Sequence, residues 1–108
     1  MDVVRQGSVG KDFLVHTSYD ITAPDALKLQ FIGPDGTLRF EVEDPDVAAV
    51  GDPTIGDIGW TDESGLFPVD TEADLGIWTI IPIFEKAGVE LPGAPSMQFR
   101  VISKYAQS

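Results

Sequence analysis

The run from residue 75 to 84, LGIWTIIPIF, constrains this chain more than any other stretch. It is the longest apolar run, rich in β-branched and aromatic residues and bounded by Gly and Pro. That composition predicts a strand buried on both faces. The run is too short to span a membrane, which takes about 20 apolar residues in a helix. Pro82 has no backbone N–H and would break a helix interior, so the helical alternative is disfavoured. In a central strand a proline belongs at a bulge or a strand end, so pairing is expected to be disturbed near Pro82.

The rest of the chain follows the same strand logic. Leu27, Leu29 and Phe31 alternate with Lys28 and Gln30, and Leu38, Phe40 and Val42 alternate with Thr37, Arg39 and Glu41. This is the period of a strand with one buried face. Between the two runs stands Gly33-Pro34-Asp35-Gly36, in which Pro34 presets φ and Asp35-Gly36 tolerates positive φ. A hairpin is predicted there. Further strands are expected around Phe13 and Val15, at Ile58 and Trp60, and over Met97, Phe99 and Val101, with a short strand or arm at residues 2–5. Residues 86–90 read as a hairpin tip, and residues 105–108 as a tail that frays or docks on a partner.

No window shows sustained helical periodicity. Short strands with turn signals every eight to twelve residues predict an all-β, antiparallel sandwich or barrel. At 108 residues the chain suggests one domain, residues 1–108, large enough for a core without staples. The predicted core is Phe13, Leu29, Phe31, Leu38, Phe40, Trp60, Trp78, Ile80, Phe99 and Val101. The segment 44–56 reads as the least structured part, with one helical turn capped by Asp44 and started by Pro45.

Charge is distributed unevenly. Between Glu41 and Asp74 there are eleven carboxylates and no Lys or Arg, and this third of the chain carries the whole net charge of −11. Phosphate binding needs a basic footprint, so nucleic acid is not an expected partner. The loops 43–56 and 70–74 are expected to stay outside the core as a solvated acidic face. They also offer two sharper readings. Asp44, Asp46 and Asp52, together with Tyr105 in the tail, are the candidate partner-binding residues, facing a basic neighbour. Asp44 and Asp46, or Asp70, Glu72 and Asp74, are a candidate Ca²⁺ cluster, the second being the metal candidate carried forward, although neither acidic loop fits the EF-hand pattern.

Catalytic chemistry finds no foothold in the pattern. No Cys is present, which excludes disulfides and thiolate metal sites. His16 is the only His, and a lone His on a strand is read as a packed or rim residue rather than a ligand. Paired carboxylates abound, but nothing in their spacing fixes a catalytic pair. Trp60 and Trp78 sit at strand spacing among apolar residues and are read as core rather than as a sugar-stacking platform. The N-terminus has no charged region followed by an apolar one, so no secretion signal is expected, nor any membrane or lipid attachment.

The order of features resembles a known group. A Gly-rich opening precedes a Phe strand (Gly7, Gly10, Phe13). A strand follows with a Pro-Asp-Gly-Thr hairpin (residues 29–37), then a Gly-Ile-Trp strand (Gly76, Ile77, Trp78) and a closing Phe-Arg-Val strand (Phe99, Arg100, Val101). This resembles the small immunoglobulin-like domains of tailed-phage virions, such as the N-terminal domain of baseplate upper proteins and related tail, neck and head-fibre modules. The outline covers most of the chain and departs from it in the long acidic middle, residues 43–56. The resemblance implies an immunoglobulin-like antiparallel β-sandwich of seven or eight strands with Greek-key connections. It implies a non-enzymatic virion protein that needs no cofactor and docks in repeated copies on capsid, neck, tail or baseplate proteins. A carbohydrate- or calcium-binding module of a bacterial surface or secreted protein is the alternative.

Overall fold

The computed structural model describes residues 2–17, 20–22, 25–44, 46–52, 54–63, 67, 74–86, 89–92 and 97–104. Its elements are all strands: β1 (Asp2–Arg5), β2 (Lys11–His16), β3 (Ala26–Ile32), β4 (Leu38–Glu43), β5 (Ala48–Ala49), β6 (Asp57–Asp62), β7 (Gly76–Lys86), β8 (Val89–Pro92) and β9 (Met97–Ile102). The larger sheet runs β1-β9-β7-β3-β4, with β8 also on β7, and the smaller runs β2-β6-β5. The two layers make a β-sandwich, as the alternating runs require. Among the described residues the strands number nine rather than the expected seven or eight, β5 and β8 being short additions. One pairing departs from the antiparallel expectation: β1 lies parallel to β9, Val4 opposite Val101. The N-terminal segment is therefore taken up on one side by its own sheet.

The 75–84 run is the spine. β7 pairs β3 without interruption from Ala26–Glu85 to Ile32–Thr79. On its other side it pairs β9 as far as Ile80 and β8 only from Ile83 onward. Ile81 and Pro82 fall between the two, where a residue lacking an N–H costs the ladder least. The disturbance expected at Pro82 is thus confined to one side of the strand.

Between the layers the aromatic rings form one network. Phe13 and Trp60 stand opposite each other on β2 and β6 and stack at 5.6 Å. Phe31 and Phe40 do the same on β3 and β4 at 4.5 Å, and Trp78 and Phe99 on β7 and β9 at 6.0 Å. Edge contacts of Phe13 with Phe31 and Phe99 join the two sheets, and Phe67 closes on Trp78 at 5.1 Å. Facing aromatic pairs are the strongest cross-strand units, and each ring buried contributes about 1.5–3 kcal/mol.

Three expectations about the core are corrected. Leu38 is not a core residue but is 53% exposed. The β3–β4 register shifts between Phe31 and Ile32, so Phe31 faces Phe40 while Ile32 faces Leu38. Arg39 is the extra residue of a β-bulge, and a one-residue insertion moves the side chain beyond it to the opposite face. The segment 43–56 is not wholly outside the core, because Val47 is buried and Ala49 packs against the cluster. The single turn expected there is present but opens one residue earlier, on Glu43 rather than Asp44: the Glu43 carbonyl accepts the N–H groups of Asp46 (2.9 Å) and Val47 (3.2 Å), while Pro45 lies outside the described residues. The period of two that follows puts Val47 and Ala49 inside and Ala48 and Val50 outside. Asp74, also expected outside, is buried.

Candidate functional site

The acidic residues do three different jobs. The first is local. Asp20, Asp35 and Asp52 each precede a Thr by two positions, and each carboxylate accepts both the Thr hydroxyl and the Thr N–H. The distances are 2.5 and 2.9 Å at Thr22, 2.8 and 3.2 Å at Thr37, and 2.8 and 3.0 Å at Thr54. These are turns closed by a side chain. All three carboxyls are held below their ordinary value. The Thr hydroxyl is the main cause at Asp20 and Asp35, and the Thr54 N–H at Asp52. The Asp-x-Thr spacing was visible in the sequence, and it gives three carboxylates a structural employment. Asp52, expected at a partner surface, is one of them.

The second job is packing. Asp74 receives Arg39 from the bulge, with Nη1 donating to Oδ1 at 2.7 Å, and its backbone carbonyl accepts the Trp78 indole N–H at 2.8 Å. Of the candidate Ca²⁺ cluster, Asp74 therefore already carries a cationic partner, while Asp70 and Glu72 lie outside the described residues. Among the described residues no group of three or more metal-ligating side chains converges. His16 sits on the rim, bonded through Nδ1 to Asp57 of the neighbouring strand. Trp60 and Trp78 are both buried, 8% and 2% exposed, and so present no flat platform to a sugar.

The third job is at the surface. An open groove of about 810 Å³ lies on the small sheet. Leu14, Ala48 and Val50 give it an apolar floor, Trp60 borders it, and Asp12, Asp46 and Glu63 stand on its rim. Leu14, Gly59 and Ala48 share one register across β2, β6 and β5. Leu14 and Val50 are 54% and 49% exposed. Gly59 keeps this floor low: a Cβ there would lie 2.6 Å from a Val50 methyl. Among the described residues no Lys, Arg or His lines the groove.

The candidate partner residues that are described have different surroundings. Asp46 belongs to the groove rim. Asp44 is exposed, and its N–H donates to the Leu27 carbonyl at 3.1 Å. Asp52 caps its own turn, and Tyr105 lies outside the described residues. The groove itself was missed: Leu14, outward between the core residues Phe13 and Val15, marks one side of it in the sequence, but Ala48 and Val50 carry no such mark until β5 pairs with β6. Among the described residues no helix is long and apolar enough to cross a membrane. No protein-family profile matches the chain, and no curated protein matches it in sequence.

Proposed function

We propose that this chain is a non-enzymatic structural adaptor of a tailed-phage virion, an immunoglobulin-like module docking in repeated copies on larger capsid, neck, tail or baseplate proteins. The observation that carries the adaptor reading is the pairing of a rigid, ring-packed sandwich with an outward groove that is apolar at its floor and acidic at its rim. Such a surface suits a protein partner better than a small polar substrate. The carboxylates of the acidic middle and its neighbours support the same reading. Asp52 and Asp74 are occupied by a turn and by Arg39, while Asp46 and Glu63 face outward on the rim. The virion assignment rests on the residues of the resemblance: Gly7, Gly10 and Phe13, the Pro34-Asp35-Gly36-Thr37 hairpin, Gly76-Ile77-Trp78 and Phe99-Arg100-Val101.

Mass spectrometry of purified particles tests it. The protein should be present in constant ratio to the major capsid protein. Expression during infection with absence from the particles would overturn the reading.

A further inference from the structure

The small sheet is unfinished on one side. β5 covers only Ile58 and Gly59 of β6. The Val50 N–H donates to the Asp57 carbonyl at 2.9 Å, which fixes the alternation: Val50–Asp57 and Ala48–Gly59 are the hydrogen-bonded pairs. The next pair in that series would set residue 46 opposite Thr61. The chain leaves before reaching it, because the Asp46 N–H turns back to the Glu43 carbonyl. On the other side of β6, Thr17 donates to the Gly56 carbonyl at 2.9 Å, so Ile58, Trp60 and Asp62 turn their main-chain groups toward β2. The N–H and C=O of Thr61 therefore point to the side where β5 has ended.

The groove occupies that place. Val42 of β4 and Trp60 border it, Asp46 and Glu63 flank it, and among the described residues no cationic side chain lines it. From this geometry we infer that the groove takes an extended segment of a partner protein, in which an apolar residue is flanked by Lys or Arg. The segment adds a short strand beside β6 where β5 stops. Its main chain pairs with Thr61, its apolar side chain enters between Val42 and Trp60, and its cations meet Asp46 and Glu63. Strand addition supplies affinity through the main chain, and the side-chain pockets supply choice. The span from Glu41 to Asp74 holds eleven acids and no Lys or Arg, so a basic segment is drawn in and an acidic one is repelled. This names the docking chemistry of the adaptor proposed above and rests on that reading.

The test uses the full chain, ¹⁵N-labelled, and a fluorescein-tagged peptide of alternating lysine and valine, with an alternating glutamate–valine peptide as control. The basic peptide should bind saturably and weaken as salt rises. It should shift the Thr61, Ala48 and Trp60 amides and slow exchange at the Thr61 amide. Asp46→Lys with Glu63→Lys should weaken binding at least tenfold, whereas Asp52→Lys, away from the groove, should change it less than twofold. Circular dichroism confirms that each variant is folded, and Glu63→Gln alone serves if the double variant is not. Equal loss with Asp52→Lys would mean attraction by net charge alone and would overturn the inference. Binding without protection of the Thr61 amide would overturn the strand addition. A protein found in particles but blind to the basic peptide loses the groove and keeps the adaptor reading. A protein absent from particles whose groove still binds loses the virion reading alone.

Discussion

Arg39 reaches out of the β4 bulge to donate from Nη1 to Asp74 Oδ1 at 2.7 Å, and its guanidinium lies 5.5 Å from the centre of the Trp78 ring. Two residues 35 positions apart thus close the end of the sandwich over its central tryptophan. Asp74 holds both partners, Arg39 through its carboxylate and the Trp78 indole N–H through its carbonyl. Asp74→Ala keeps the carbonyl and strips the nearer of two carboxylates from a half-buried guanidinium, leaving Asp35 Oδ1 3.6 Å from Nε. The loss should be about 1.5–3 kcal/mol, the range for a hydrogen bond to a charged group. Urea unfolding followed by tryptophan fluorescence measures it, and a change below the error of the extrapolation would mean that water replaces Asp74 without cost.

Gly33 makes room for that bridge. A Cβ at residue 33 would lie 2.8 Å from Arg39 Nε and 3.0 Å from its Cγ. Gly33→Ala should therefore push the Arg39 side chain away from Trp78 and Asp74. The effect of Gly33→Ala should shrink once Asp74 is already Ala, because the bridge is then gone. A double-mutant cycle reads this directly, with a coupling of at least about 0.5 kcal/mol expected for residues sharing one partner. Strict additivity would show that Arg39 shifts without losing its contacts.

What the sequence made legible follows from where its information lies. A period of two is a property of a single strand, so Phe13 and Val15, or Leu27, Leu29 and Phe31, declare their buried face at once. The hairpin at residues 33–36 carries its own turn chemistry, and its closure is seen in the Gly36 N–H donating to the Gly33 carbonyl at 3.0 Å. A bulge is a property of two strands together. Nothing in Leu38-Arg39-Phe40 announces that Arg39 is the inserted residue, because the insertion is defined only against Phe31 and Ile32. The same holds for β5. The outward positions of Ala48 and Val50 exist only through pairing with β6, and without that partner the segment reads as an acidic loop. The groove, made by a strand that ends early, was hidden for the same reason.

The Asp-x-Thr turns predict an acid response. Asp35 is held below its ordinary value of 3.8 first by the Thr37 hydroxyl and then by the Thr37 N–H. A carboxyl depressed by folding stabilises the native state above its unfolded value. That contribution disappears as pH falls through the lower, folded value. In a carboxyl ¹³C titration, Asp35 should titrate below 3.8, and Thr37→Val should move its midpoint upward. The melting temperature of Asp35→Asn should accordingly fall less steeply than that of the parent as pH drops below the ordinary carboxylate value of 3.8. An unchanged midpoint in Thr37→Val would remove the hydroxyl as the cause.

The bulge itself can be tested by asking which of two neighbouring apolar residues matters. Without the register shift, Leu38 and Phe40 would share the inner face, and truncating either would open a cavity. With it, Leu38 stands outside opposite Ile32, while Phe40 stacks on Phe31 at 4.5 Å and touches Phe67 and Trp78. Leu38→Thr then removes only exposed surface and should change stability by no more than about 0.5 kcal/mol. Phe40→Ala deletes a ring from the centre of the aromatic network and should cost about 3 kcal/mol, the lower end for a phenylalanine because this one is partly exposed. Chemical denaturation of the two variants side by side decides the matter. Comparable losses would return Leu38 to the core and remove the bulge, and with it the explanation of how Arg39 comes to face Asp74.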